Sequence, residues 1–214
     1  MMKKVASPFD IADLTKPKYA SLEELFDEMK HMRDDPLANA GTNMVISRGN
    51  PKARLLIIGE APGSEENIKG KPFVGSAGKL LDKILQSAGF DPEADVFITN
   101  SVFRMPPGEA GKAFRKPTTT EIEYYRPYVF AIIRLIDLLI ILLTGNVACQ
   151  SVLGKTGITT LRGKWTHLQD HWTMPIFHPS YLLRNPARGP GASKAQMQAD
   201  IRKVRKKYAE LIGK

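Results

Sequence analysis

Three short apolar runs, Arg54–Ile58, Val96–Thr99 and Leu138–Leu143, constrain this chain more than any other feature. Each stops at or near a residue that breaks or caps a strand: Gly59, Asn100 and Gly145. Between them lie segments with the 3.6-residue period of helices. Ser76–Ala88 gathers Leu80, Leu81, Ile84 and Leu85 on one face, and Thr118–Ile136 reads as a longer helix with a bend near Pro127. Ser21–Met32 opens on a capping pattern, Ser21 with Glu24 three residues on. Buried strands alternating with helices predict an α/β fold. The expected form is a three-layer α/β/α sandwich around a central, mostly parallel, four-stranded twisted sheet.

Further along, Val147–Leu153 reads as a short helix. Lys164–Leu168 and Met174–Phe177 read as the last strands, His178–Ala192 as loop and Ser193–Ile212 as a closing helix. Residues 1–18 are polar and contain prolines, a loose lead-in. Residues 19–214 then form one domain, a size that one α/β core can fill.

The net charge of +9 favours a polyanionic partner, with nucleic acid ahead of a membrane surface. The longest apolar stretch, Tyr128–Leu143, is interrupted by Arg134 and Asp137 and is too short to span a bilayer. No apolar segment follows Lys3 and Lys4, so no signal peptide is read. The single cysteine, Cys149, excludes a disulfide framework and a four-cysteine metal site. These features predict a cytoplasmic, reducing location.

Loops follow three of the predicted strands: Gly59–Gly78, Asn100–Pro117 and His178–Pro190. In an open parallel sheet they converge outside the carboxyl ends of the strands. The first is glycine-rich, but two apparent phosphate loops fail. Between Gly63 and Gly70 the spacing is too long, and Pro72 stands where a magnesium-binding hydroxyl belongs. Cys149–Thr156 lacks the first glycine and sits in a helical pattern. The four histidines (His31, His167, His171, His178) place no ligand-spaced pair on one helix, so no metal site is expected. What remains is a ring (Phe73), a carboxamide (Asn100), an imidazole (His178) and several cations, a set suited to a planar heterocycle. Each has a plainer reading: Phe73 as core, Asn100 as a turn cap, His178 as a structural histidine, Glu60 as a supporting hydrogen-bonding group.

GEAPGSEENIKGKPFVGSAG at Gly59–Gly78, ITN at Ile98–Asn100 and HPSYLLRNP at His178–Pro186 resemble, in order, the signature blocks of the uracil-DNA glycosylase superfamily. The resemblance spans about residues 50 to 209 and is closest to the family 4 enzymes first described from thermophiles. It implies an enzyme that hydrolyses the N-glycosidic bond of uracil in DNA after the nucleotide is flipped out. It also implies that Phe73 stacks on the base and Asn100 reads its edge. Gly59, Ala61 and Glu66 would line the base pocket, with Glu66 at the position that excludes a thymine methyl. His178 would donate to uracil O2 as charge develops, and either Glu60 or backbone carbonyls would hold the water. Ser76, Ala77, Gly78, Ser180 and Arg184 would meet phosphates, joined by Lys112, Arg115 and Lys116 of the basic loop. Leu182 is the expected wedge in the gap left by the flipped base, with Leu183 second.

Ala61 stands, as in family 4 enzymes, where another branch of the superfamily carries a water-holding aspartate. The sequence departs from family 4 elsewhere: the loop from Arg104 to Lys116 is longer and more basic, and Asn67 stands where the family often has aspartate. Arg104 and Tyr125 occupy two positions where family 4 enzymes have iron–sulfur cysteines, so a cluster-free monomer is expected. Two alternatives remain: a DNA-binding relative without activity, and a glycosylase for another deaminated base such as hypoxanthine.

Overall fold

The computed structural model describes residues 18–108, 113–187, 189 and 191–213. Nearly all of the expected lead-in lies outside them. In chain order the helices are α1 (Leu22–His31), α2 (Ser64–Lys69), α3 (Ser76–Ser87), α4 (Thr119–Leu135), α5 (Gly145–Leu153), α6 (Ile158–Leu161), α7 (Pro179–Arg184) and α8 (Ser193–Ile212). The strands are β1 (Ser47–Gly49), β2 (Leu55–Gly59), β3 (Phe97–Asn100), β4 (Ile140–Thr144), β5 (Thr166–Leu168) and β6 (His171–Ile176).

The strands form one sheet in the order β1-β3-β2-β4-β6-β5. The expected parallel core of four strands is present as β3-β2-β4-β6. The sheet itself has six strands, because β1 and β5 add antiparallel edges. Ser47–Gly49 carries no apolar alternation, so its pairing to β3 has no local signature. Two expected loops also hold short helices. Gly59–Gly78 contains α2, and His178–Ala192 contains α7, which starts with Pro179 at its first position. Helix α4 runs on through Pro127.

The pleat divides the core in two. Leu56, Ile58, Ile141 and Leu143 face α1, α4 and α5. Leu55, Ile57, Ile140 and Leu142 face α3 and α8. Every residue of β2 and β4 is buried, as central parallel strands require. Helix α4 begins in a reciprocal cap: Thr118 Oγ1 accepts the Glu121 N–H (3.2 Å), and Glu121 Oε2 accepts the Thr118 N–H (2.7 Å).

A buried polar network joins α1, the segment after it and the chain leaving β3. The Arg104 guanidinium donates from Nε to Asp35 Oδ2 (3.0 Å), and through its other nitrogens to the carbonyls of Thr42 (2.5 Å) and Met32 (3.2 Å). Asp35 Oδ1 accepts from the Tyr125 hydroxyl (2.5 Å) and the Leu37 N–H (3.0 Å). With both charges paired and hydrogen-bonded, the burial is tolerable. Removing one partner leaves an uncompensated charge, which costs about 3–5 kcal/mol. Asp35→Ala should therefore lower urea-unfolding stability by that amount. Glu65→Ala, which breaks the exposed pair with Lys69, should cost far less, because solvent screens that pair. Equal losses would show that the network does not hold these segments.

Candidate active site

The carboxyl ends of β2 and β3 meet in register: Gly59 pairs with Asn100. A Cβ at Gly59 would overlap the Asn100 carboxamide oxygen and the edge of the Phe73 ring. The glycine thus makes room for the two groups that the sequence put in one pocket. Asn100 is only 2% exposed, and among the described residues its carboxamide has no hydrogen-bond partner. A buried amide left in that state is costly unless something else fills it.

A cavity of about 600 Å³ opens at this point, lined among others by Glu60, Ala61, Glu66, Phe73, Asn100 and His178. Phe73 sits at its wall, 6% exposed, with φ of +54°. A left-handed backbone at a non-glycine residue costs about 1–3 kcal/mol and persists when its surroundings enforce it. Gly78 gives that backbone room, because a Cβ there would collide with the Phe73 carbonyl. The Phe73 and His178 rings are 5.8 Å apart, centre to centre, and inclined at 31°.

The tautomer of His178 follows from its partners. Nδ1 accepts the backbone N–H of Ser180 (3.2 Å), so it carries no proton in the neutral ring, and the Ser180 hydroxyl lies 2.8 Å from the same nitrogen. The proton is then on Nε2. Burial, reinforced by the positive charge of Arg184, pushes the ring's pKa down to about 4. His178 is therefore a neutral N–H donor at pH 7. Ser180 is committed to orienting it, a different task from the expected phosphate contact.

Glu60 also lines the cavity, and its carboxylate has no hydrogen-bond partner among the described residues. Burial pushes its carboxyl above the usual range, while the charges of Lys116 and Arg184 act in the opposite sense. Ala61, beside it, offers the cavity only a methyl group.

Other expected site residues are placed differently. Glu66 stitches the glycine-rich loop: Oε1 accepts the N–H groups of Val74 (2.9 Å) and Gly75 (2.7 Å), and Oε2 that of Gly63 (3.2 Å). It lines the cavity, but its oxygens hold backbone. Leu182, the expected wedge, is 4% exposed and packs in the core between α3 and α8. Leu183, 47% exposed, is the apolar side chain that projects. One turn of α7 separates inside from outside here, and a loop reading could not phase it. Arg115 is engaged by Glu121 through two bonds of 2.9 and 2.6 Å, so its guanidinium braces the basic loop. Lys116 and Arg184 are exposed at the rim. Lys112 lies outside the described residues. Ser76, Ala77 and Gly78 open α3, which has no side-chain cap, so the N–H groups of its first turn face an anion-favouring helix end.

Phe114 was not anticipated. Its ring is 51% exposed at the cavity rim beside Gly63. The one signal was an aromatic residue among basic ones in GKAFRKP.

An iron–sulfur cluster does not fit these residues. It needs a set of thiolates, and the chain has one cysteine, buried in α5 with its pKa pushed up to about 12. Arg104 and Tyr125 sit instead in the Asp35 network. No group of three or more possible metal ligands occurs among the described residues.

Residues 46–205 match the family model described as "Uracil DNA glycosylase superfamily". The Archaeoglobus fulgidus type-4 uracil-DNA glycosylase is 34% identical over 91% of this chain and 94% of its own length. The Thermotoga maritima type-4 uracil-DNA glycosylase is 37% identical over 77% of this chain and 84% of its own. That of Sulfurisphaera tokodaii is 35% identical over 78% and 77%.

The depressed pKa of His178 gives a pH signature. Above pH 6.5 the ring is neutral in both the folded and unfolded chain. Between pH 6.5 and 4 the unfolded ring binds a proton that the folded ring refuses, so stability falls with decreasing pH, by about 3–3.5 kcal/mol in all. His178→Asn should remove that part of the slope in urea unfolding. A native ring titrating near 6.5 by NMR would contradict the assignment.

Proposed function

The chain belongs to the uracil DNA glycosylase superfamily, and from that premise we propose that it removes uracil from DNA by hydrolysing the N-glycosidic bond, leaving an abasic site. The observation that carries this is the buried, unpartnered Asn100 carboxamide, placed beside Phe73 and His178 in one cavity. A carboxamide both donates and accepts. It therefore matches the O4 and N3–H edge of uracil, and cytosine presents the reverse order. The mismatch would leave buried polar groups unpaired, which makes discrimination large.

A base stacked in duplex DNA keeps its glycosidic bond out of reach of a concave site, so the target nucleotide is flipped into the cavity. Phe73 packs against the base. As the bond to the sugar breaks, the pyrimidine gains negative charge. The His178 Nε2–H points its dipole at that charge in a site of low polarity, where such stabilisation is worth most. A neutral imidazole N–H is too weak an acid to give its proton away, so it acts by hydrogen bonding. Glu60 holds the attacking water and accepts its proton as oxygen bonds to the sugar carbon. Burial, by raising the basicity of this carboxylate, favours that role. Uracil leaves as an anion and is protonated from solvent.

At the rim, Lys116, Arg184 and the α3 N-terminus meet phosphates, and Leu183 enters the vacated stack in place of Leu182. The Arg104–Asp35–Tyr125 network supports a chain that works without an iron–sulfur cluster, and one buried thiol suits a reducing interior.

Oligonucleotides carrying one uracil or one hypoxanthine, treated with the protein and then alkali, test the reading. Breaks at uracil are expected. Binding without breaks would make the chain a DNA-binding relative only, and stronger breakage at hypoxanthine would move the substrate. Asn100→Asp should lose uracil release, and an unchanged base preference would remove Asn100 from recognition. Iron and sulfide analysis of the purified protein should find neither in stoichiometric amount, and finding them would end the cluster-free reading.

A further inference from the structure

Arg48 lies outside the cavity, at the centre of β1, and its side chain is 5% exposed. Its guanidinium donates from Nε to the Pro72 carbonyl (2.9 Å) and from Nη2 to the Phe73 carbonyl (3.4 Å). Asp82 of α3 (2.5 Å) and Glu93 (2.6 Å) neutralise it. The two carbonyls belong to the peptide planes before and after Phe73, and the rotation between those planes is the residue's own φ and ψ. One cation thus grips both planes at the residue whose backbone is left-handed. The next two N–H groups, of Val74 and Gly75, are taken by Glu66.

We propose that Arg48 is a positioning residue for base recognition: it fixes the two peptide planes that flank Phe73 and so aims that ring into the cavity. The inference rests on the reading of Phe73 as the ring that packs on the base. Arg48 itself touches no substrate. Its partners come from three separate places: the glycine-rich loop, α3 and the segment before β3. The edge strand that sequence patterning missed is therefore the part that shapes the pocket wall.

Arg48→Met keeps the length of the side chain and removes its donors. It should lower kcat/KM on uracil-containing DNA by about tenfold to a hundredfold, as expected for a displaced binding group. In a Phe73→Ala background the same change should do nothing further, because the group through which Arg48 acts is gone. Losses that multiply in the double variant, or full activity in Arg48→Met, would overturn the proposal. Where Arg48→Met fails to fold, Arg48→Lys serves: it keeps a charge for Asp82 and Glu93 but lacks the fork that spans two carbonyls. It should fold and raise KM, and wild-type kinetics would count against the proposal. If the unchanged protein leaves uracil in place, the functional reading fails by itself. A crystal structure of Arg48→Lys then decides the geometric claim. Phe73 leaving positive φ supports it, and Phe73 unchanged overturns it.

Discussion

The space that a Cβ would take at residue 59 is filled by the Asn100 carboxamide and the Phe73 ring. The rest of the site depends on that close approach. It is possible because β2 and β3 end in register and residue 59 presents no side chain. The same glycine ends a strand that is buried along its whole length, so the pocket floor continues the close-packed core below it. Around that contact the loops only have to be held. Glu66 ties the glycine-rich loop to itself, the Glu121–Arg115 pair braces the basic loop, and the Ser180 N–H sets the tautomer of His178.

Charge is arranged in two ways. Inside, cations are fully engaged: Arg48 with Asp82 and Glu93, Arg104 with Asp35, Arg162 with Asp200. These pairs connect elements far apart in sequence and hold geometry more than they add net stability. At the cavity rim Lys116 and Arg184 stay exposed, near the half-buried Glu60 carboxylate, which has no hydrogen-bond partner among the described residues. Part of the +9 surplus is thus turned toward the opening, where a polyanion would run.

Much of this was legible beforehand, and the exceptions have physical causes. The parallel core, the helices α3 and α8, and the convergence of Phe73, Asn100 and His178 on one cavity follow from apolar periodicity and from the rule that loops gather at strand ends, and Glu60 followed from the family resemblance. β1 escaped because three residues with one buried side chain make no pattern. Leu182 and Leu183 were exchanged because adjacent residues differ by about 100° once a segment is helical, and α7 is too short to announce itself. Glu66 and Ser180 were read from the family motifs, as groups facing the base and a phosphate. Their hydrogen bonds run to nearby backbone and to His178, and a motif does not carry that information.

By itself the sequence determined the layer order of the fold and the chemical set at the site. Both depend on local information: hydrophobic spacing along the chain, and the identity of residues that end strands. Tertiary structure alone decided which groups are available to act and which are occupied. Among the described residues the side chains of Asn100 and Glu60 are left without hydrogen-bond partners, Glu66 and Arg115 are spent on the scaffold, and His178 is neutral with its proton on Nε2. Burial and hydrogen-bond partnership are properties of distant residues brought together. No stretch of chain can state them before β1, α3 and the three loops meet.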